Sequence, residues 1–205
     1  MAVTSRDFDT FKEFLDHIIA IENQDYTAYI DSNAIFRQAA TEINDGLILE
    51  FGVAEGHSAV DMSNHFGSDK TIHGFDSFEG LPETWRPEFP QGIFACDVPT
   101  LASNIILHKG LFNETLPGFL EHYPEKIAFL HLDADLYSST AYVLEQLEDR
   151  LVTGSFVIFD ELHYQFENYL EHEYKAFIEH HERTGFHYEF LGRRRWEAYS
   201  FKLID

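Results

Sequence analysis

The chain has 205 residues, a net charge of −22, one cysteine, 44% hydrophobic and 16% aromatic residues. That length suits a single α/β domain with a large core, and the composition excludes a disordered chain. The acidity excludes a generic nucleic-acid binder, because Arg193, Arg194 and Arg195 are the only basic cluster.

Residues 8–22 place Phe8, Phe11, Phe14, Leu15, Ile18 and Ile19 at helical spacing, and 26–43 read as a second helix through Tyr29, Ile35, Phe36 and Ala39. The early charges Asp7, Asp9, Lys12, Glu13 and Asp16 interrupt any signal-type apolar core. No run reaches transmembrane length, so the expectation is a cytoplasmic protein without a membrane partner. Asn44, Asp45 and Gly46 are a stop-and-turn signal. Residues 47–52 read as a buried strand, 53–56 as a turn, and a helix begins at His57. Residues 71–75 are a second strand closing on Asp76. Residues 79–99 hold four prolines and three aromatics, which suits either a covering lid or a passive excursion.

A third strand spans 104–108, and a short helix spans 116–122, begun near Pro117. Residues 127–132 form an apolar strand that closes on Asp133 and Asp135. After a helix, the apolar run before Asp160 and Glu161 makes the fifth strand. Residues 169–182 read as a helix, and 187–191 and 198–204 as two strands joined by 192–197. So short a connection requires antiparallel pairing. It places Arg193 to Trp196 in the closing turn. Alternation of strands and helices predicts a three-layer α/β sandwich with a mostly parallel sheet. One domain is expected, with N-terminal helices over 1–45 and the core over 46–205.

The chemistry concentrates at strand ends. A βαβ unit brings Asp133, Asp135, Asp160 and Glu161 to one edge of the sheet. Four carboxylates there call for a cation or a proton to offset their repulsion. The turn from Glu50 to Gly56 opens a helix as nucleotide-binding turns do. It lacks the glycine fingerprint of dinucleotide folds, since Ala54 and His57 stand at two of the glycine positions. Gly52 lets the backbone approach a ligand, and the acid at 50 suits a positively charged one. Asp76 ends the next strand, where a carboxylate can accept ribose hydroxyls. Phe78 suits either an adenine face or the core. His131 lies inside a strand and reads as a satisfied core residue. His163, just beyond Glu161, is the histidine best placed for chemistry.

The stretches EFGVAEGHS, HGFDSFEGLPE, KGLFNETLP, LHLDADLYSST and GSFVIFDEL resemble the class I S-adenosylmethionine (SAM)-dependent methyltransferases. More narrowly, they resemble the macrocin and mycinamicin sugar O-methyltransferase family. The resemblance covers about residues 47–162. It implies a Rossmann-like sheet of seven strands ordered 3-2-1-4-5-7-6, the last antiparallel. It implies that Glu50, Gly52, Gly56 and Ser58 hold the methionine portion of SAM, with Asp133 alongside. Asp76 would take the ribose, with Ser77 and Phe78 beside the adenosine. Mg2+ would sit on Asp133, Asp160 and Glu161, and Asp135 would be the general base.

Two positions depart from the pattern. Asp160-Glu161 stands where two aspartates are common, and Leu136 stands where catechol-type relatives carry a lysine base. Tyr137, His163, Arg193 and Trp196 are the acceptor-side candidates. The acceptor is expected to be a small molecule with a hydroxyl, glycosidic or anionic in character, and a homo-oligomer is compatible with this reading. The alternatives are a non-catalytic adenosyl-ligand or NAD-binding module, and a metal-independent small-molecule methyltransferase.

Overall fold

The computed structural model describes residues 2–22, 32–163, 168–194 and 198–205. Its strands are β1 (Val3–Thr4), β2 (Leu47–Phe51), β3 (Ile72–Asp76), β4 (Ile105–Lys109), β5 (Ile127–Leu132), β6 (Phe156–Phe159), β7 (Tyr188–Arg194) and β8 (Ala198–Leu203). Among the described residues they form one eight-stranded sheet in the order β1-β7-β8-β6-β5-β2-β3-β4. Strands β2 to β6 pair in parallel, and β8 is antiparallel to both β6 and β7. The expected order 3-2-1-4-5-7-6 is therefore present, with an eighth strand added at the edge. That strand is only two residues long, too short for alternation to reveal, and pairs antiparallel with β7.

The helices are α1 (Phe11–Glu22), α2 (Ser32–Glu42), α3 (His57–Phe66), α4 (Phe112–His122), α5 (Tyr137–Leu147) and α6 (Glu173–Thr184). Local structure moves three of their starts from the expected places, two of them by caps. The Thr10 hydroxyl accepts the Glu13 N–H at 3.1 Å, and the Glu13 carboxylate accepts the Thr10 N–H at 3.1 Å. This capping box starts α1 at Phe11 and leaves Phe8 outside. Glu114 likewise accepts the Leu111 N–H at 3.2 Å, so α4 begins at Phe112 and Pro117 lies within it. The carbonyl that Pro117 leaves without a helical donor belongs to exposed Asn113, where water can satisfy it. In the third case a 3-10 turn over Tyr169–Glu171 precedes α6, and the chain breaks at His172. The part of the expected 26–43 helix before Ser32 lies outside the described residues. Among the described residues no helix is long and apolar enough to cross a membrane.

Strand alternation divides the core. Leu47, Leu49 and Phe51 of β2 pack with α1, α4, α5 and α6, including Phe14, Leu116, Leu144 and Phe177. Ile48 of β2 packs with Phe129, Phe156 and Ile158 against α2 and α3. Each such fully buried side chain contributes roughly 1.5–3 kcal/mol relative to exposure. The same alternation puts Glu50, His131 and Ile158, which are register partners across β2, β5 and β6, on the face toward α2 and α3. Two buried polar residues therefore interrupt that apolar face at neighbouring positions.

Candidate active site

The carboxyl-terminal ends of β2, β3, β5 and β6 open onto a cavity of about 590 Å³, large enough for a small organic ligand. Gly52, Asp76, Asp133, Asp135, Asp160 and Glu161 all line it.

The floor is built by backbone. Gly52 has φ +92°, and a Cβ there would lie 1.8 Å from the Asp133 carbonyl oxygen, so only glycine fits. The Gly52 N–H donates to the Phe75 carbonyl at 3.0 Å, and the Asp133 N–H donates to the Phe51 carbonyl at 2.9 Å. These bonds hold the tips of three strands together. Asp76 accepts N–H groups from Val53 and Ala54 at 2.8 Å each and from Phe78 at 2.7 Å. A carboxylate offers about four acceptor positions, so most of Asp76 is spent fixing the glycine turn. Ala54, Phe78, Phe94 and Asp135 all have left-handed backbone, with φ of 46°, 58°, 68° and 57°. Such strain in residues other than glycine costs about 1–3 kcal/mol each and concentrates where a site over-determines the chain. At Asp135 it turns the chain sharply between β5 and α5.

The acids crowd one another. Burial, then the charge of Asp160, raises the Asp133 carboxyl well above its ordinary range. Burial and Asp160 likewise push Asp135 up to about 7, while the Arg86 guanidinium pulls the other way. Arg86 belongs to the 79–99 excursion and rests over the rings of Trp85 at 4.6 Å and Phe89 at 4.2 Å. That excursion forms one wall of the cavity through Leu81, Pro82 and Phe94. Glu83 accepts a hydrogen bond from Ser138, and buried Trp85 meets His172 edge-on at 6.0 Å.

Two further groups complete the electrostatics. His131 Nδ1 lies 3.0 Å from Glu50 Oε1, and its Nε2 lies 3.6 Å from Asp160 Oδ1. Burial alone would lower this imidazole, but the two carboxylates outweigh it and push it up to about 10. His131 is thus a buried, satisfied residue as expected, and its partners are site acids. The other group, Glu173 at the start of α6, has no place in the sequence reading. It is fully buried, accepts the Glu161 N–H at 3.0 Å and takes the Thr140 hydroxyl at 3.3 Å. Burial raises its carboxyl to about 8; the Glu161 N–H opposes the shift, and the charges of Asp135 and Asp160 add to it.

The remaining candidates fall in different places. Glu50 is fully buried and lies outside the cavity lining, and its Oε2 accepts no hydrogen bond. Gly56 caps α3 with φ +83°, and Ser58 lies in the first turn of that helix. Ser77 lines the cavity and donates to the Gly80 carbonyl at 3.3 Å, whereas Phe78 is buried. The Tyr137 hydroxyl donates to Glu179 at 2.6 Å, under the Lys175 ammonium, away from the cavity lining. His163 packs edge-on against Tyr169 and Tyr199, also outside the lining. Arg193 is a correction to the sequence reading. Pairing of β7 with β8 continues past a bulge to Arg194↔Ala198, so Arg193 belongs to a strand and is only 3% exposed. Trp196 lies outside the described residues. Asn113, Ser139 and Tyr142 also line the cavity, and nothing in their local pattern marks them.

Among the described residues no three His, Cys, Asp or Glu side chains gather as a metal cluster. The donor chemistry nonetheless suits Mg2+, because three hard carboxylates line one cavity and a cation would relieve the repulsion that raises Asp133. The unpartnered Glu50 oxygen equally suits a cationic ligand group.

The fold matches that of solved methyltransferases. CalS11, a calicheamicin methyltransferase, matches with a TM-score of 0.68 at 24% identity, covering 95% of this chain and 86% of that one. The O-methyltransferase NovP matches with a TM-score of 0.66 at 21% identity, covering 84% of this chain and 79% of that one. The macrocin-O-methyltransferase (TylF) family matches residues 97–183. The 8-demethyl-8-(2,3-dimethoxy-alpha-L-rhamnosyl)-tetracenomycin-C 4'-O-methyltransferase of Streptomyces olivaceus is 30% identical over 59% of this chain and 56% of its own length. The mycinamicin III 3''-O-methyltransferase of Micromonospora griseorubida is 30% identical over 57% of this chain and 55% of its own length. Over these stretches the chain is similar to macrocin O-methyltransferases. It spans about half the length of the curated relatives it matches.

Proposed function

We propose that this protein transfers a methyl group from SAM to a hydroxyl of a sugar or similar small metabolite. The observation that carries the reading is the convergence of Asp135 and the Gly52 turn on one cavity. The activities of the two relatives from Streptomyces olivaceus and Micromonospora griseorubida, both named O-methyltransferases, support it.

Bound SAM supplies a methyl group on a sulfonium, and Mg2+ on Asp133, Asp160 and Glu161 would supply a Lewis acid that lowers the pKa of the acceptor hydroxyl. The chain does the rest. Gly52, Gly56 and Ser58 shape the seat for the methionine portion, and the free Glu50 oxygen accepts from its ammonium. The acceptor position left on Asp76 takes a ribose hydroxyl, with Ser77 beside it. The acidic cavity favours a cationic donor. Asp135 takes the proton from the acceptor hydroxyl, and a folded value of about 7 keeps a substantial fraction of it ionised at neutral pH. Holding oxygen, methyl and sulfur in line is the largest part of the task. The 79–99 wall limits access by water.

Calorimetry against S-adenosylhomocysteine (SAH) and NAD tests the donor, and labelled SAM with a panel of free and glycosidic sugars tests the acceptor. Binding of SAH and methylation of a glycosidic hydroxyl are expected. Binding of NAD without SAH would overturn the reading. Loss of activity in EDTA with recovery in Mg2+ is expected. Full activity in EDTA would remove the metal and leave the methyl transfer standing.

A further inference from the structure

We propose that His131 is a positioning residue that ties the donor-side acid Glu50 to the acceptor-side acid Asp160, so that both halves of the site are set together. The inference rests on the methyl-transfer reading above. Glu50 and His131 are register partners on adjacent strands, and Asp160 follows the strand on the other side of β5. Alternation turns Glu50 and His131 to the same face, and the His131 ring faces one acid from each of its two nitrogens. The buried Phe36 ring lies perpendicular to it at 6.1 Å and packs beside the imidazole. Turning the ring would break both contacts at once.

The consequence for the site is directional. With Glu50 Oε1 held by His131, the unpartnered Oε2 is the oxygen left for a ligand, and its orientation is fixed by the ring. With Asp160 Oδ1 held toward the same ring, the acceptor-side acid is anchored to strand β5 as well as to its own. A ligand drawing on Glu50 is thereby linked through the ring to the position of Asp160. A residue present only to neutralise buried charge would stabilise the fold and transmit nothing between the two sides.

The test uses the full chain in EDTA, so that metal binding does not enter, with SAH as the probe. His131→Gln should weaken SAH binding about ten-fold, and Asp160→Asn about three-fold or more. Their effects should be non-additive in the double variant, because both act through the same ring. Nitrogen-detected NMR of the His131 ring gives a second readout that needs no variant, and saturating SAH should shift both ring signals. Additive effects, an unchanged affinity in His131→Gln, or ring signals unmoved by SAH would each overturn the proposal. Should His131→Gln fail to fold, the NMR result decides. If the wild-type protein binds no SAH, the methyl-transfer reading fails first. If it binds SAH while the couplings are absent, only the role of His131 falls.

Discussion

Glu173→Gln should stabilise the protein at neutral pH, although it removes a carboxyl that accepts two hydrogen bonds. The carboxyl is fully buried, and its value rises from an ordinary 4.5 to about 8 in the fold. The folded chain therefore holds a proton that the unfolded chain has released anywhere between those values. Stability must fall as pH rises through that window. From pH 4.5 to 7, at about 1.4 kcal/mol per pH unit, the full effect is roughly 3 kcal/mol. Glutamine keeps an oxygen for the Glu161 N–H and carries no proton to lose. Weakening of the Thr140 contact takes back roughly 1 kcal/mol. The net expectation is about 1–3 kcal/mol of stabilisation at pH 7 and none below pH 4.5. For a chain of this length that raises Tm by about 2–10 °C. Thermal melts of both proteins in EDTA at pH 4.5, 6 and 8 measure it. A difference that is independent of pH, or a variant less stable at pH 8, would refute the reasoning.

Asp135→Asn keeps the left-handed backbone, which asparagine tolerates, and removes the proposed base. Its kcat should fall by about 10²–10⁴ with SAH affinity within about two-fold of wild type, by steady-state kinetics and calorimetry. Intact kcat would clear Asp135 of the role. Asp76→Ala frees three backbone N–H groups at once. It should cost about 2–5 kcal/mol in denaturant melts as well as SAH binding, and loss of binding at unchanged stability would show that Asp76 serves the ligand alone. Gly52→Ala drives a Cβ into the Asp133 carbonyl. It should yield little soluble protein, and a crystal structure with Cβ accommodated would show that the strand tips are softer than described.

The site separates into a part written along the chain and a part written across it. Gly52, Asp76 and the acid pairs follow strands directly, and strand–turn–helix chemistry is local enough to read from neighbours in sequence. The parallel order of the sheet follows for the same reason, since each strand is separated from the next by a helix or long excursion. Cap chemistry was also local, and the Thr10–Glu13 box that sets the start of α1 was present to be read. The union of Glu50 with His131 depended on the register of β2 against β5, 81 residues away. A slip of one residue would have turned one of them to the opposite face. Glu173 reached the Asp160-Glu161 turn because α6 docks beside α5, and the burial of Arg193 followed from where β7 and β8 stop pairing. The sequence by itself determined which carboxylates end the strands, because alternation and turns are properties of neighbouring residues. Only the tertiary structure decided which of them meet one imidazole and which crowd one another, because those partners meet through strand register and helix docking.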